Sequence, residues 1–588
     1  MASPFAPQNT DVPSSFEPPG TFFQLRTAGA GAAGGDLGRR VLLLAHKTAS
    51  GTGQLHFPIR CPGKALAAQY AGSGSDAARA YQALVAQIGE GVADVYLLLV
   101  AEPAGTQATR TIIVSGTPTK AGSVDLWICG YLVSVRIAQS DTPTTIAAAI
   151  RDAVNAITAL PVVASASTGT VTLTYRHAGL VGNDIPVILN QTDADGITFS
   201  PGTIAYTNAA VGAGSATVTI GGTTITAALA GGETAAGVAT KVAAAINGGS
   251  FPVRCSDDGN GTLTLLYAAD RVVNKVSAAI VTTTGTTVAV SCGAVAPNNG
   301  SNRPTLTTAL ANLANQDGGF RLWLSTWNDA ATIGTLAAHI ESQASGLYQK
   351  EQYLHVGSTD GIVTAGALPA STTPALTGLW RYSVDVCPDS PQQAYEEAAR
   401  CVGMIVAEDY IPKNYDGTTL KTDAAQRTPN LLPHPAVRIA PTSDDAQTAL
   451  HSYGLTPICV TFDGRKVVAK GRTTWQTDPM LRDWGVAQHL GFLRQQFIDA
   501  GSKAIAGKSI RKNGVPRSPN VTSITNVRAA LIARARDLDL LDLFDGIDVW
   551  KDAFVLSFNP QTPDRIDGYI PLAVIRGLHT LGLVGDVQ

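Results

Sequence analysis

Charge is scarce in this 588-residue chain: Asp, Glu, Lys and Arg make up 15% of it, against about 25% in an average soluble protein. The formal net charge is −3. Such a near-neutral balance leaves no basic footprint for nucleic acid and no polybasic anchor for a membrane. Apolar residues, at 45%, are too many for a disordered chain, which needs low hydrophobicity and high charge. Long apolar runs are missing as well. The best one near the start, Val41 to Ala45, is far short of the ~20 residues of a membrane-spanning helix. Cysteine is sparse and dispersed, at positions 61, 129, 255, 292, 387, 401 and 459, with no C-x-x-C pair. That argues against a disulfide framework or a zinc site and for reduced thiols. Met1-Ala2-Ser3-Pro4-Phe5 lacks the basic-then-apolar order of a signal peptide, so the expectation is a soluble protein made inside a cell.

Catalytic signatures are absent too. There is no H-E-x-x-H, no G-x-S-x-G and no G-x-x-x-x-G-K-[ST], and the nine histidines include no i, i+4 pair. Gly29-Ala30-Gly31-Ala32-Ala33-Gly34 spells a dinucleotide-binding motif, but a strand at 41–45 follows it where a helix is required, so it reads as a flexible loop. His355-Val356-Gly357-Ser358 lies at a strand end, where α/β enzymes keep catalytic groups, yet no recognisable motif gives it an acidic partner. Glu396-Glu397 and Asp444-Asp445 read as solvated charges. The segment from Arg536 to Gly546 carries Leu and Phe on one helical face, read as core packing, with a partner groove as the alternative. No catalytic, cofactor-binding or metal-ligating residue is assigned, and no cofactor is expected.

What the chain does have is 59 glycines, many threonines and a regular change of pattern. Residues 1–20 are Pro/Gly-rich and read as an extended arm, followed by a short strand at Thr21 to Arg26. Val41 to Ala45 and Val95 to Val100 read as buried strands, with helical spacing over 65–70 and 75–88 between them. From about 305 strands and helices alternate again, with strands at 320–326, 352–356 and 379–384 and helices at 331–343 and 391–406. Asp463-Gly464 is a hairpin turn, and long helices are predicted over 483–499 and 524–535.

Between these halves lies an internal repeat with a period of 92 residues. Thr142, Ile146, Ile150, Val154 and Asn155 recur as Thr234, Val238, Val242, Ile246 and Asn247. Gly169-Thr170 and Tyr175 recur as Gly261-Thr262 and Tyr267. Each copy reads as a hairpin, a helix and a second hairpin. The expected fold is therefore an α/β core, a mixed sheet with packed helices, carrying two inserted, repeated small α+β modules and extended terminal arms. The boundaries are an arm at 1–27, core at 28–108, modules at 109–204 and 205–296, core at 305–450, a C-terminal domain at 451–564 and an arm at 565–588.

Pro19-Gly20-Thr21-Phe22-Phe23 resembles the opening of contractile phage tail sheath proteins, and Arg40 to Lys47 is similar to the first core strand of their Mu-like branch. Gly454-Leu455-Thr456-Pro457, the hairpin ending Gly471-Arg472-Thr473-Thr474, then Trp475 and Asp483 resemble the C-terminal sheath domain. Pro563-Asp564-Arg565-Ile566-Asp567 looks like the family's closing arm. The likeness covers about 1–108 and 305–588; the doubled insertion departs from it. What the resemblance implies is a structural subunit, not an enzyme. Its partners would be copies of itself in helically stacked hexameric rings, a tail tube, and baseplate and tail terminator proteins, with no nucleic acid and no membrane. It would reside in the virion tail, and in host cytoplasm during assembly. Contraction would drive the tube through a host envelope. Phe22, Phe23 and Leu25 in one arm and Ile570, Leu572, Val574 and Ile575 in the other are expected to add strands to neighbouring subunits. The alternatives are the sheath of a secretion system or headless tail particle and, from other classes, a doubly wound α/β enzyme or a surface adhesin.

Overall fold

The strand Arg40–His46 (β1) explains its own sequence: Val41, Leu43 and Ala45 enter one apolar layer while Leu42 and Leu44 enter another. A strand covered on both faces needs no polar alternation. The computed structural model describes residues 40–570 apart from 211, 221–222, 250, 269–272, 274–275, 283–288, 294–299, 315–318, 346–347, 389, 407–417, 422–442, 462–464, 478, 513 and 562–564. After β1 come β2 (Pro58–Arg60), α1 (Lys64–Ala71), α2 (Asp76–Ile88) and β3 (Asp94–Val100). Ser75 caps α2, its hydroxyl accepting from the Ala78 N–H at 3.3 Å.

Two similar units follow. The first holds β4 (Gln107–Gly116), β5 (Gly122–Ile128), β6 (Tyr131–Ile137), α3 (Pro143–Ala156), β7 (Val162–Ser167), β8 (Thr170–Ala178), β9 (Val187–Asp193) and β10 (Ile197–Ser200). Its sheets run β10-β4-β8-β7 and β6-β5-β9. The second holds β11 (Gly202–Thr207), β12 (Gly214–Ile220), β13 (Thr223–Leu229), α4 (Ala235–Gly248), β14 (Val253–Asp257), β15 (Thr262–Tyr267), β16 (Val276–Thr282) and β17 (Ala289–Gly293). Its sheets run β14-β15-β11-β17 and β13-β12-β16, the same order. The recurring residues have physical roles. Thr142 and Thr234 cap α3 and α4, each hydroxyl accepting a backbone N–H at 3.2 Å. Asn155 clamps the Ala164 backbone with bonds of 2.8 and 2.9 Å, and Asn247 clamps Cys255 with 2.9 and 3.0 Å. The hairpin-helix-hairpin reading missed the outer strands β4, β9 and β10 and their counterparts. Because β11 pairs with β15 and β17, the division falls near 201 rather than at 204/205.

The chain then returns through α5 (Thr307–Ala314), β18 (Leu322–Ser325), α6 (Ala330–Gln343), β19 (Tyr353–Ser358), α7 (Ile362–Ser371), β20 (Tyr382–Val386), α8 (Ala394–Val406), β21 (Thr418–Thr419), α9 (Asp444–Thr448), β22 (Thr456–Val460) and β23 (Lys466–Val468). One mixed sheet gathers the strands from both sides of the insertion, in the order β2-β3-β1-β18-β19-β20-β22-β23-β21. From β3 to β22 neighbours are parallel, and the outer pairs are antiparallel. Helices cover both faces. Since β22 joins β20 at Asp385↔Thr456, the core runs on past the expected 450/451 boundary through the β22–β23 hairpin. The Asp463-Gly464 turn itself lies outside the described residues.

A last cluster forms from α10 (Trp484–Ile505), β24 (Ser509–Arg511), β25 (Val521–Ser523), α11 (Ile524–Asp539), α12 (Ile547–Ala553), β26 (Val555–Phe558) and β27 (Ile566–Tyr569). It packs on Phe497, Phe544, Trp550 and Phe554, with Trp550 stacked on Phe554 at 5.3 Å. Among the described residues no helix is long and apolar enough to cross a membrane.

Candidate functional site

Open α/β sheets bind ligands at the carboxyl ends of their strands, in the crevice where strand order reverses. Here the parallel strands run β3-β1-β18-β19-β20-β22, so the reversal lies between β1 and β18. β1 ends in His46, and Trp327 follows β18. Into the same place the first turn of α2 brings Asp76, and the end of β8 brings Tyr175 and His177. Asp76, His46, Tyr175 and His177 are all buried. The first inserted unit thus fills the crevice of the core with its own side chains.

Asp76 Oδ1 accepts a 2.6 Å bond from the Tyr175 hydroxyl, which also lies 3.3 Å from the Tyr395 hydroxyl. Asp76 Oδ2 has no hydrogen-bond partner; His46 Nδ1 stands 3.8 Å from it and His177 Nε2 3.9 Å. His177 Nε2 accepts a long 3.3 Å bond from the Asp76 N–H, and its Nδ1 lies 2.9 Å from Glu102 Oε1. The Trp327 indole donates to His46 Nδ1 at 3.4 Å. Burial pushes the His46 imidazole below its ordinary value. Burial also opposes ionisation of Asp76 and Glu102, but the neighbouring histidines outweigh it and hold both carboxyls below the usual range. For His177 the two carboxylates outweigh burial and raise it.

One turn along α2, Arg79 is buried against Glu396 of α8. It also donates to the carbonyls of Cys129 (2.7 Å) and Ala159 (3.3 Å) and lies 5.0 Å above the Tyr131 ring. Gln393, just before α8, donates to the Asp184 carbonyl at 2.6 Å. Core helices therefore grip the first unit through its loops. Burial pushes the Cys129 thiol up to about 11, so it is an inert neutral group.

The residues singled out from sequence fall elsewhere. His355 does have an acid, Asp385 on the next strand, 3.0 Å away, and Asp385 accepts from Ser383 at 2.6 Å. Trp484 stands edge-on to the imidazole at 5.0 Å and both groups are buried, so the pair is packed inside the core. Ser358 accepts instead from the Asp360 N–H at 3.2 Å, beside a cavity of about 210 Å³ lined by Asn328, Asp360, Thr364 and Leu368. Glu396 and Glu397 are not solvated: α8 is sandwiched against α2 and the sheet, so both are buried, Glu397 against Lys466 and Arg400. Despite burial, those two cations bring its carboxyl down to about 2. Asp444 and Asp445 are exposed at the start of α9. The acidic stretch stops being helical after Asp539; Leu538 and Phe544 enter the core and Leu540 is 83% exposed. Phe22, Phe23, Leu25, Leu572, Val574, Ile575 and the Gly29–Gly34 motif lie outside the described residues. Ile570 packs partly against the C-terminal cluster, just past β27.

No family model matches the chain. It is similar to the Mu-like prophage FluMu tail sheath protein of Haemophilus influenzae, 29% identical over 181 residues, 31% of this chain. The match spans 37% of that relative's length. Among solved structures, the sheath tail protein from Desulfitobacterium hafniense aligns over 95% of this chain and 100% of its own, with 12% identity and a TM-score of 0.39. The sheath tail protein from Listeria innocua aligns over 93% of each chain, with 11% identity and a TM-score of 0.40.

Proposed function

We propose that this chain is the structural, non-catalytic subunit of a contractile tail sheath. The observation that carries the proposal is the 29% identity to a prophage tail sheath protein. The filled crevice agrees with it, because the place where a doubly wound enzyme would bind its ligand is packed with Tyr175 and His177. Copies of the chain stack as hexameric rings on a tail tube, between a baseplate and a terminator, in the cytoplasm of the host and then in the virion. Contraction of that lattice drives the tube through the host envelope. Residues 107–200 and 202–293 are two copies of one inserted module, as their shared sheet order and repeated caps support.

The arms link subunits. β26 and β27 form a two-stranded antiparallel sheet, Val555↔Tyr569 to Phe558↔Ile566, with no third strand among the described residues. Such a pair is marginal alone and offers open edges to a strand from another chain. Residues 1–27 supply one such strand in trans, and Leu572, Val574 and Ile575, beyond β27, extend toward a neighbour. Electron microscopy of the purified chain is expected to show hollow tubes, and a chain lacking residues 1–27 is expected to remain a folded monomer. A full-length chain that stays monomeric at every concentration and binds a nucleotide would favour the enzyme instead.

A further inference from the structure

We propose that His46, Asp76 and His177 form a buried binding site for one divalent transition-metal ion of zinc's kind, which fastens the first inserted unit to the core. The inference is independent of the sheath reading. One imidazole nitrogen from each histidine and a carboxylate oxygen of Asp76 lie within 4.8 Å of one another, all three residues buried. The Asp76 oxygen that the two imidazole nitrogens face, Oδ2, is left without a hydrogen bond, as is His46 Nε2. A buried carboxylate oxygen in that condition is costly. An ion at the centre resolves it. Tetrahedral zinc with bonds of about 2.0–2.2 Å spaces its ligands roughly 3.3–3.6 Å apart. The spacings to Oδ2 are 3.8 and 3.9 Å, a few tenths of an ångström beyond that, and the two imidazole nitrogens lie within 4.8 Å of each other.

The surrounding groups are placed as supports for such an ion. Metal-bound imidazoles usually give their other nitrogen to a carboxylate or carbonyl, and His177 Nδ1 faces Glu102 at 2.9 Å. The Tyr175 hydroxyl holds the other oxygen of Asp76, fixing the carboxylate's orientation. The Asp76 N–H now shares His177 Nε2 at 3.3 Å and the Trp327 indole shares His46 Nδ1 at 3.4 Å, two long bonds that the ion replaces. Charge also closes. Two carboxylates, Asp76 and Glu102, face two imidazoles, and a divalent ion with neutral imidazoles leaves the cluster without net charge. Two nitrogen donors select zinc, cobalt or nickel over magnesium or calcium, which prefer all-oxygen sites. The three protein donors leave the fourth position of a tetrahedral ion to a water molecule. Because all three residues are buried, the ion enters before the first unit docks and its binding energy adds to folding.

The test uses the full chain, expressed with zinc supplementation and, separately, refolded with zinc chloride. Metal is counted after excess is removed. About one zinc per chain is expected by both routes, and under about a tenth in Asp76→Asn and His177→Ala. Asn at 76 still accepts from Tyr175, so that variant keeps its fold. Refolding with cobalt is expected to give the visible bands of a tetrahedral ion, absent from Asp76→Asn. Zinc is expected to raise the melting midpoint by several degrees in the wild type and not in the variants. Folded wild type carrying under about a fifth of an equivalent by both routes, or variants carrying as much zinc as wild type, would overturn the site.

Discussion

Arg79→Met is expected to destabilise the protein by about 3–5 kcal/mol, the usual penalty for removing one partner of a buried ion pair. The substitution leaves Glu396 in the interior without its guanidinium and strips donors from the Cys129 and Ala159 carbonyls. Methionine fills a similar volume, so lost packing contributes little. The expected readout is an earlier first transition in urea, with the core and the first unit unfolding together. Replacing both partners, Arg79→Met with Glu396→Gln, is expected to recover part of the loss, because no charge is then stranded. A single variant within about 1 kcal/mol of wild type would show that water reaches the pair.

Removing the two inserted units is expected to have opposite consequences. Pro201 and Gly300 both lie beside β4, near Thr111 and Ala108, so the ends of the second unit are roughly 10 Å apart at ~3.3 Å per residue. A linker of three or four residues closes that gap. Deleting 202–299 is expected to leave a folded chain whose main melting transition shifts by only a few degrees. It loses the Val187↔Val273 bridge and the packing of Tyr267 on its neighbour. Deleting 107–299 also withdraws Tyr175, His177 and the carbonyls that Arg79 holds, exposing a charged interior surface. That chain is expected to be insoluble or to lack a cooperative transition. Equal behaviour of the two deletions, followed by calorimetry, would refute the asymmetry. The buried network at Asp76 and Arg79 is what sets the first unit apart from the second.

Much of the architecture was legible because apolar spacing is a local signal. β1, β3, α2, α6 and α10 are found within a few residues of where pattern places them, and the 92-residue period marks α3 and α4 by their Thr caps and Asn clamps. The outer strands of each unit escaped because edge strands rich in Thr and Gly carry little periodicity. The site escaped for a different reason. His46, Asp76 and His177 are far apart in the chain; the parallel crossover brings the first two together, and the docking of the first unit on the core brings the third. Yet a trace of it was readable. At the positions where the first unit meets the core, Cys129, Tyr131 and His177, the second copy has Gly221, Thr223 and Ala269. Tyr175, which serves both the fold of the unit and the site, is kept as Tyr267. Differences between residues 92 positions apart, more than their agreement, point to the side chains that face the core.

The pairing of β1 with β18, Val41↔Leu322 to Leu44↔Ser325, has a consequence for the newborn chain. Roughly 220 residues separate the end of β3 from β18, which at about 5–20 residues per second is some 10–45 s of translation. Throughout that interval the β1–β3 pair has a long apolar edge at β1 with no strand beside it, a state prone to aggregation. The strands of the first inserted unit all lie between residues 107 and 200, so the unit is complete well before β18 is made. Docked on α2, it shields the amino-terminal half-core until the rest of the sheet is made. The insertion thus sets an order of events on the ribosome.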